Sequence, residues 1–347
     1  MPEAVSVAEE TPGLRPTLAD VARAAGVSIA TASRVLNGFP RVSPERRKQV
    51  ESAMLALGYA RQRAAKASSA RHTGSIALVV CEEVPRLFTD PYFPRIAAGV
   101  GRELTAVGVQ LVLLTVPATD DYQSPVVRYL DGGHVDGALV VGMHGRRPLD
   151  LDWLGIPVVF GGRPVQAGRT GRLPYVDADN QGGARLATQR LLDGGRQVVA
   201  TVAGPQDMTA GVDRLLGYRQ AMTRAGRYDE TLVVCGDFGQ ASGEYATSRL
   251  LTRRPDVDGI FAASDMMAVG ALRALRRAGR RVPEDVALVG FDDLPIGCWT
   301  DPPLTTVRQP VEEMGARMTA ELLAMIDGAA PRRSTVLDTE LVPRKSA

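Results

Sequence analysis

Between residues 75 and 293, short apolar runs alternate with helical stretches, and this alternation narrows the possible folds most. SIALVVC (75–81) precedes a helical pattern near 92–107, and VQLVLLTV (109–116) precedes one near 121–132. GALVVG and IPVVFGG follow. After LPYVDADNQGG the alternation restarts with helical patterns near 181–194, 211–225, 240–253 and 265–278, set between QVVATVAG, TLVVCGDF, GIFAAS and VALVGFDD. Continuous apolar strands separated by helices predict parallel sheets covered on both faces. The run is too long for one sheet, so two doubly wound lobes are expected. Its strands are too short to span a membrane.

In doubly wound sheets, ligands sit beyond the carboxyl ends of the strands. The polar and aromatic residues there form one candidate set: Asp90, Tyr92 and Phe93 after the first strand, Arg214 in VDRLLGY, Phe238 in GDFGQ, Ser264 and Asp265 in AASDMMA, and Asp292 in GFDD. An arginine and carboxylates grip hydroxyls through charge-assisted hydrogen bonds, and aromatic faces stack on C–H-rich ligands. A small polar effector, with a carbohydrate as the expected class, fits this set. Phe93 and Phe238 suit core packing equally well, and Asp265 suits the N-cap of its helix at least as well as ligand contact. Arg214 with Asp292 is the central pair.

Charge is unevenly distributed. The chain of 347 residues nets +2, yet residues 14–72 carry eleven Lys/Arg against three acids. A basic head on a near-neutral body predicts a polyanion partner for the head. Thr17 caps LADVARAAG, and Leu18, Val21, Ala22 and Ala25 form one apolar face. Gly26 ends that helix and Ser28 caps the next, whose buried stripe is Ala32, Val35 and Leu36. Ser43-Pro44 opens a third helix with Val50, Ala53, Met54 and Leu57 on one side. Two short helices across a glycine turn, covered by a third, give a helix-turn-helix, with a three-helix bundle unrelated to DNA as the plainer reading. The helix-turn-helix plan puts Ile29, Ala30 and Arg34 against base edges of double-stranded DNA. Thr17, Ser28, Thr31 and Ser33 are placed for phosphate oxygens.

TLADVARAAGVSIATASRVLNG, followed by RVSPERRKQVESAMLALGY, resembles the DNA-binding domain of the LacI/GalR family of bacterial transcription regulators. DVDGIFAASDMMAVGALRALRRAGRRVPEDVALVGFDDLP and PPLTTVRQPVEEMGARMTAELLAMIDG are similar to the periplasmic-binding-protein-like core of the same family. The resemblance implies a homodimer on a palindromic operator, with a cleft that closes on effector and repression relieved by the inducer. It also implies lobe crossings near 176–178, 305–308 and 331–335. The expected organisation is an acidic tail (1–16), the helix-turn-helix domain (17–59), a hinge (60–73) and the core (74–345). The first lobe would span 74–177 plus 308–331, and the second 178–305 plus 335–345.

The sequence departs from the family in the hinge and in the core, where Arg196 also stands for the histidine of the usual GH. In the hinge, ARQRAAKASSARHT, the position of the family's minor-groove leucine wedge falls on Ser68, so Arg63 and Lys66 are expected to hold the minor groove with a weaker kink. The usual asparagine of the family's AND is Ser264, which leaves the effector open.

Other classes find little support. GxGxxG after a strand, Walker A, HExxH and GxSxG are all missing, so no enzyme, cofactor or metal site is expected. Three separated cysteines fit a reducing compartment. The opening MPEAVSVAEETPG has neither a basic n-region nor an apolar h-region, so the cytoplasm is expected. The alternative is a periplasmic-type solute-binding protein, which would share the core but not the basic head.

Overall fold

The computed structural model describes residues 18–36, 42–57, 72–116, 125–145, 151, 154–164, 174–331 and 334–347. Thr17 and the hinge residues Arg63, Lys66 and Ser68 lie outside the described residues, as do the side chains of Ser33 and Leu36.

The head has three helices: α1 (Leu18–Ala24), α2 (Ile29–Leu36) and α3 (Pro44–Leu57). Gly26, at φ +63°, makes the turn that a β-carbon would strain. Val27 N–H then donates to the Ala22 carbonyl at 3.0 Å, folding the chain back into α2. Ser28 Oγ accepts from Thr31 N–H at 3.1 Å and caps α2. Val21, Ala22, Ala25, Ala32, Val35 and Val50 form the small core, with Met54 and Leu57 packed at its edge.

The core has two parallel sheets, as the alternation predicts. β1 (Ser75–Val80), β2 (Gln110–Thr115), β3 (Gly137–Val141), β4 (Val158–Gly161) and β5 (Tyr175–Ala178) belong to the first. β6 (Val199–Ala203), β7 (Val233–Cys235), β8 (Gly259–Ala262) and β9 (Ala287–Val289) form the second, in the order β7-β6-β8-β9. Strands β1, β3 and β6 are buried along nearly their whole length, because helices cover both faces. The helices are α4 (Val84–Thr89), α5 (Tyr92–Ala106) and α6 (Pro125–Asp131) in the first lobe, and α7 (Asn180–Asp193), α8 (Thr209–Arg224), α9 (Gln240–Arg253), α10 (Asp265–Arg277) and α11 (Pro295–Cys298) in the second.

After the second sheet, β10 (Thr306–Arg308) carries the chain back, and α12 (Val311–Ile326) packs beside α5 on the first sheet. The chain does not leave that lobe at 331–335. β11 (Thr335–Leu337) pairs in parallel with β5, giving the six-stranded order β11-β5-β4-β3-β1-β2. The segment 335–337 therefore belongs to the first lobe, not to the second as its place in the sequence suggests. The outer edge of β5 has backbone groups to satisfy, and β11 supplies them before the chain crosses. β12 (Glu340–Val342) then runs antiparallel to β10.

Candidate functional site

The carboxyl ends of the strands from both sheets converge on one concave cavity, lined by apolar faces and a few polar side chains as small-molecule sites are. Asp90, Tyr92, Phe93, Arg214, Phe238, Ser264 and Asp292 all line it. These seven come from both lobes, most of them from loops and helix starts that follow strands.

Arg214, on α8, is the centre. The residue is 4% exposed, and its Nε donates to Asn180 Oδ1 at 2.8 Å. Nη1 donates to the Ala263 carbonyl (2.6 Å) and to Asp292 Oδ1 (3.1 Å), and Nη2 to Gln309 Oε1 (2.5 Å). The guanidinium also lies 3.7 Å from the centre of the Phe291 ring and 5.3 Å from that of Phe238. One fork thus ties together α7, α8, the end of β8 and the returning strand.

Of the carboxyls lining the cavity, burial pushes Asp90, Asp177 and Asp292 upward. Asp292 is pushed up to about 6 by burial, with Arg214 opposing and Asp90 reinforcing the rise. Asp90 rises less freely because Tyr92 N–H donates to it at 3.0 Å. Asp177 is raised by burial against N–H bonds from Arg163 (3.0 Å) and Ala178 (2.8 Å). Phe238 (φ 70°) and Asp292 (φ 112°) both hold left-handed backbone, a strain that recurs at ligand sites. Gly204 lets the Phe238 ring lie against the backbone, since a β-carbon there would come within 2.3 Å of it.

Asp265 does not join the site. It is fully buried, with Oδ1 accepting from Thr306 Oγ1 (2.6 Å) and Oδ2 from Leu294 N–H (2.7 Å). Burial and the neighbouring Asp292 charge raise it well above the usual carboxylate range. It is not the helix cap either. That role belongs to Ser264, whose Oγ accepts from Met267 N–H (3.1 Å) and donates to the Phe238 carbonyl (2.8 Å). The first helical residue turns inward under the sheet, and the residue before it stays at the cavity wall.

The structure adds Asp177 near the end of β5, Asn180 after it and Arg163 after β4, which the strand-end rule could have found. Gln309 follows β10, outside that rule. Met208, Met266 and Met314 line the wall without any polar signal in the sequence. Among the described residues no group of three or more His, Cys, Asp or Glu could hold a metal ion. No described helix is long and apolar enough to cross a membrane.

On the head, Ile29 is 56% exposed, and Ala30 and Arg34 are exposed with it. Ser28 Oγ and Thr31 Oγ1 lie 2.8 Å apart, so one hydroxyl proton is shared and the other points elsewhere. These side chains sit on or beside the first turns of α2, away from the small core.

Comparison with known proteins gives two matched regions. Residues 17–62 match the model of bacterial regulatory proteins of the lacI family, and residues 188–347 match the periplasmic binding protein-like domain. The HTH-type transcriptional regulator CelR of Thermobifida fusca is 49% identical over 337 residues, covering 96% of this chain and 98% of that protein. The ribose operon repressor of Escherichia coli (strain K12) is 33% identical over 300 residues, covering 86% and 89% of the two chains. Among solved structures, a CelR–cellobiose complex superposes with a TM-score of 0.78 at 47% identity, covering 96% of this chain and 100% of that one. The lac repressor dimer bound to operator and an anti-inducer gives 0.70 at 27% identity, covering 96% and 99%. This chain belongs to the LacI family and is a DNA-binding transcriptional regulator.

Proposed function

We propose that this protein is a repressor that binds a palindromic operator as a homodimer and leaves it when a neutral sugar, of the cellobiose type, occupies the cavity. The buried Arg214–Asp292 pair, flanked by Phe238 and open to the cavity, carries this reading. Its carboxylates and amides accept and donate to hydroxyls, while aromatic and methionine faces suit the C–H face of a pyranose. The charge balance argues against a phosphorylated sugar. Arg163 is held by Asp213 (2.6 Å), Arg86 faces Glu82 and Asp90, and Arg214 faces Asp292, so each cation is already matched by carboxylate. CelR, solved with cellobiose, supplies the disaccharide as the first ligand to try.

In this reading, Ile29, Ala30 and Arg34 read bases, and Thr17, Ser28, Thr31 and Ser33 hold phosphates. The hinge carries Arg63 and Lys66 into the minor groove, with Ser68 at the wedge position. The residues 1–16, 17–59, 60–73 and 74–345 act as tail, DNA-binding domain, hinge and core. The role is regulatory rather than catalytic, in the cytoplasm with the DNA. Operator and effector affinities are then reciprocally linked.

Calorimetry with cellobiose and with glucose 6-phosphate, followed by operator gel shifts with each, tests the reading. Cellobiose should bind and release the operator, and the phosphorylated sugar should do neither. Binding of the phosphorylated sugar alone would overturn it.

A further inference from the structure

At the cavity's edge, His144 stands between two carboxylates. Its Nε2 lies 3.2 Å from Glu82 Oε1, and its Nδ1 lies 3.1 Å from Asp207 Oδ2. Glu82 follows β1 in the first lobe, His144 follows β3 in the same lobe, and Asp207 follows β6 in the second. A neutral imidazole has one N–H and one lone pair, so it can donate to one carboxylate and must face the other with a lone pair. Only the imidazolium donates to both. Between two ionised carboxylates, a charged His144 therefore satisfies both contacts and a neutral one does not.

Two backbone-anchored bonds follow the same seam between lobes. Gly145 N–H donates to the Asp207 carbonyl (2.5 Å), and Thr209 Oγ1 donates to the Arg163 carbonyl (2.5 Å). The other charges near the imidazole come from α4 and its C-terminal end. Arg86 Nη1 is 3.5 Å from Glu82 Oε1, Arg86 Nε is 3.8 Å from Asp90 Oδ2, and Arg86 Nη2 donates to the Asp237 carbonyl of the second lobe (2.6 Å). His144 remains partly open to solvent, so protons reach it. Its hydrogen bond to Glu82 raises it most, burial opposes, and the bond to Asp207 adds to the rise.

We propose that His144 is a strap between the lobes, whose protonation favours cleft closure and so makes effector affinity fall as pH rises through neutrality. The proposal rests on the reading that effector closes this cleft. Opening separates Asp207 from His144 and leaves the imidazole with Glu82 alone, so closure takes up a proton. The closed imidazole titrates above the open one. Closure is therefore favoured fully below the open-state value, and the advantage is lost as pH rises through the closed-state value.

Calorimetric titration of the full chain with cellobiose between pH 6 and 8.5 tests this. The wild-type Kd should weaken by about fivefold or more over that range, whereas His144→Gln should be nearly flat above pH 6.5. Asp292 titrates inside the cavity in both proteins, so the difference between them isolates His144. A flat wild-type profile, or an equal slope in the variant, overturns the strap.

A second measurement separates failure of the strap from failure of the effector reading. The chain has three histidines, so the His144 imidazole resonance is identified by its loss in His144→Gln. In the cellobiose-saturated protein, or in the ligand-free protein if cellobiose does not bind, it should titrate above about 6.5 and move down in Asp207→Asn. If cellobiose fails to bind at every pH, the effector reading falls and this resonance alone decides the strap. Titration at the ordinary histidine value, unmoved by Asp207→Asn, overturns it.

Discussion

Arg214 and Asp292 form a buried ion pair, 3.1 Å from Nη1 to Oδ1, at the place where the second sheet meets the strand returning to the first lobe. Asp292 N–H donates to the Val307 carbonyl (2.7 Å), so the carboxylate rides on the crossover, and the arginine rides on α8. A ligand that bonds to the pair therefore touches both the second lobe and the segment that connects it to the first. That linkage gives effector binding a mechanical route to the relative position of the lobes.

Replacing Arg214 should separate charge from geometry. Arg214→Met leaves the Asp292 carboxylate and two amide oxygens buried without their donor, and should destabilise the core by about 3–5 kcal/mol in denaturant melts. Arg214→Lys keeps the charge but not the fork. It should fold with a smaller loss and weaken cellobiose binding by about tenfold or more in calorimetry. Wild-type affinity in Arg214→Lys would show that the fork does not hold the ligand.

Asp292 gives a pH-dependent stability signature. Its folded value of about 6 lies above the unfolded carboxylate value, so the folded state holds this proton more tightly. The group's contribution to stability is present below the unfolded value, declines as pH rises from about 4 to about 6, and stays lost above. Asp292→Asn removes that penalty. Its melting temperature should exceed the wild type's at pH 7.5, with the gap closing towards pH 4.5. A gap that does not change with pH would contradict the raised value.

Adjacent positions show where sequence reading succeeds and where it stops. Alternation located both sheets, since it is local, and seven of the residues it singled out line the cavity. Ser264 and Asp265 are one residue apart at the same strand end, yet one lines the cavity and caps α10 while the other is sealed beneath it. Spacing cannot tell them apart, because the direction of the Asp265 side chain depends on Thr306 and Leu294, far along the chain. Gln309 escaped for the same reason, as its partner Arg214 lies 95 residues away. The segment 335–337 was misplaced because a three-residue edge strand has no periodicity to declare which sheet it joins.

The buried position of Asp265 makes a contrasting prediction. Asp265→Ala leaves the Thr306 hydroxyl and the Leu294 N–H without a buried acceptor and should cost about 1–3 kcal/mol for each orphaned group. Cellobiose affinity, measured below the melting transition, should stay within about twofold of wild type, well under the tenfold that 1.4 kcal/mol of lost contact would bring. A large loss of affinity with an unchanged melting curve would place Asp265 at the ligand after all.

The head makes the last prediction. Ile29 and Ala30 expose apolar side chains at the start of α2, and neither can donate or accept a hydrogen bond from its side chain. The base-edge contact open to them is with a thymine methyl, whereas Arg34 can bond to guanine O6 and N7 together. Selection of operators from a random pool should return half-sites that are strict opposite Arg34 and tolerant, with T favoured, opposite Ile29 and Ala30. Arg34→Ala should remove the guanine preference at one position, a discrimination of about 1–3 kcal/mol, and keep the salt-dependent affinity that phosphate contacts supply. Strict G/C selection at every half-site position would mean that bases are read by residues other than these three.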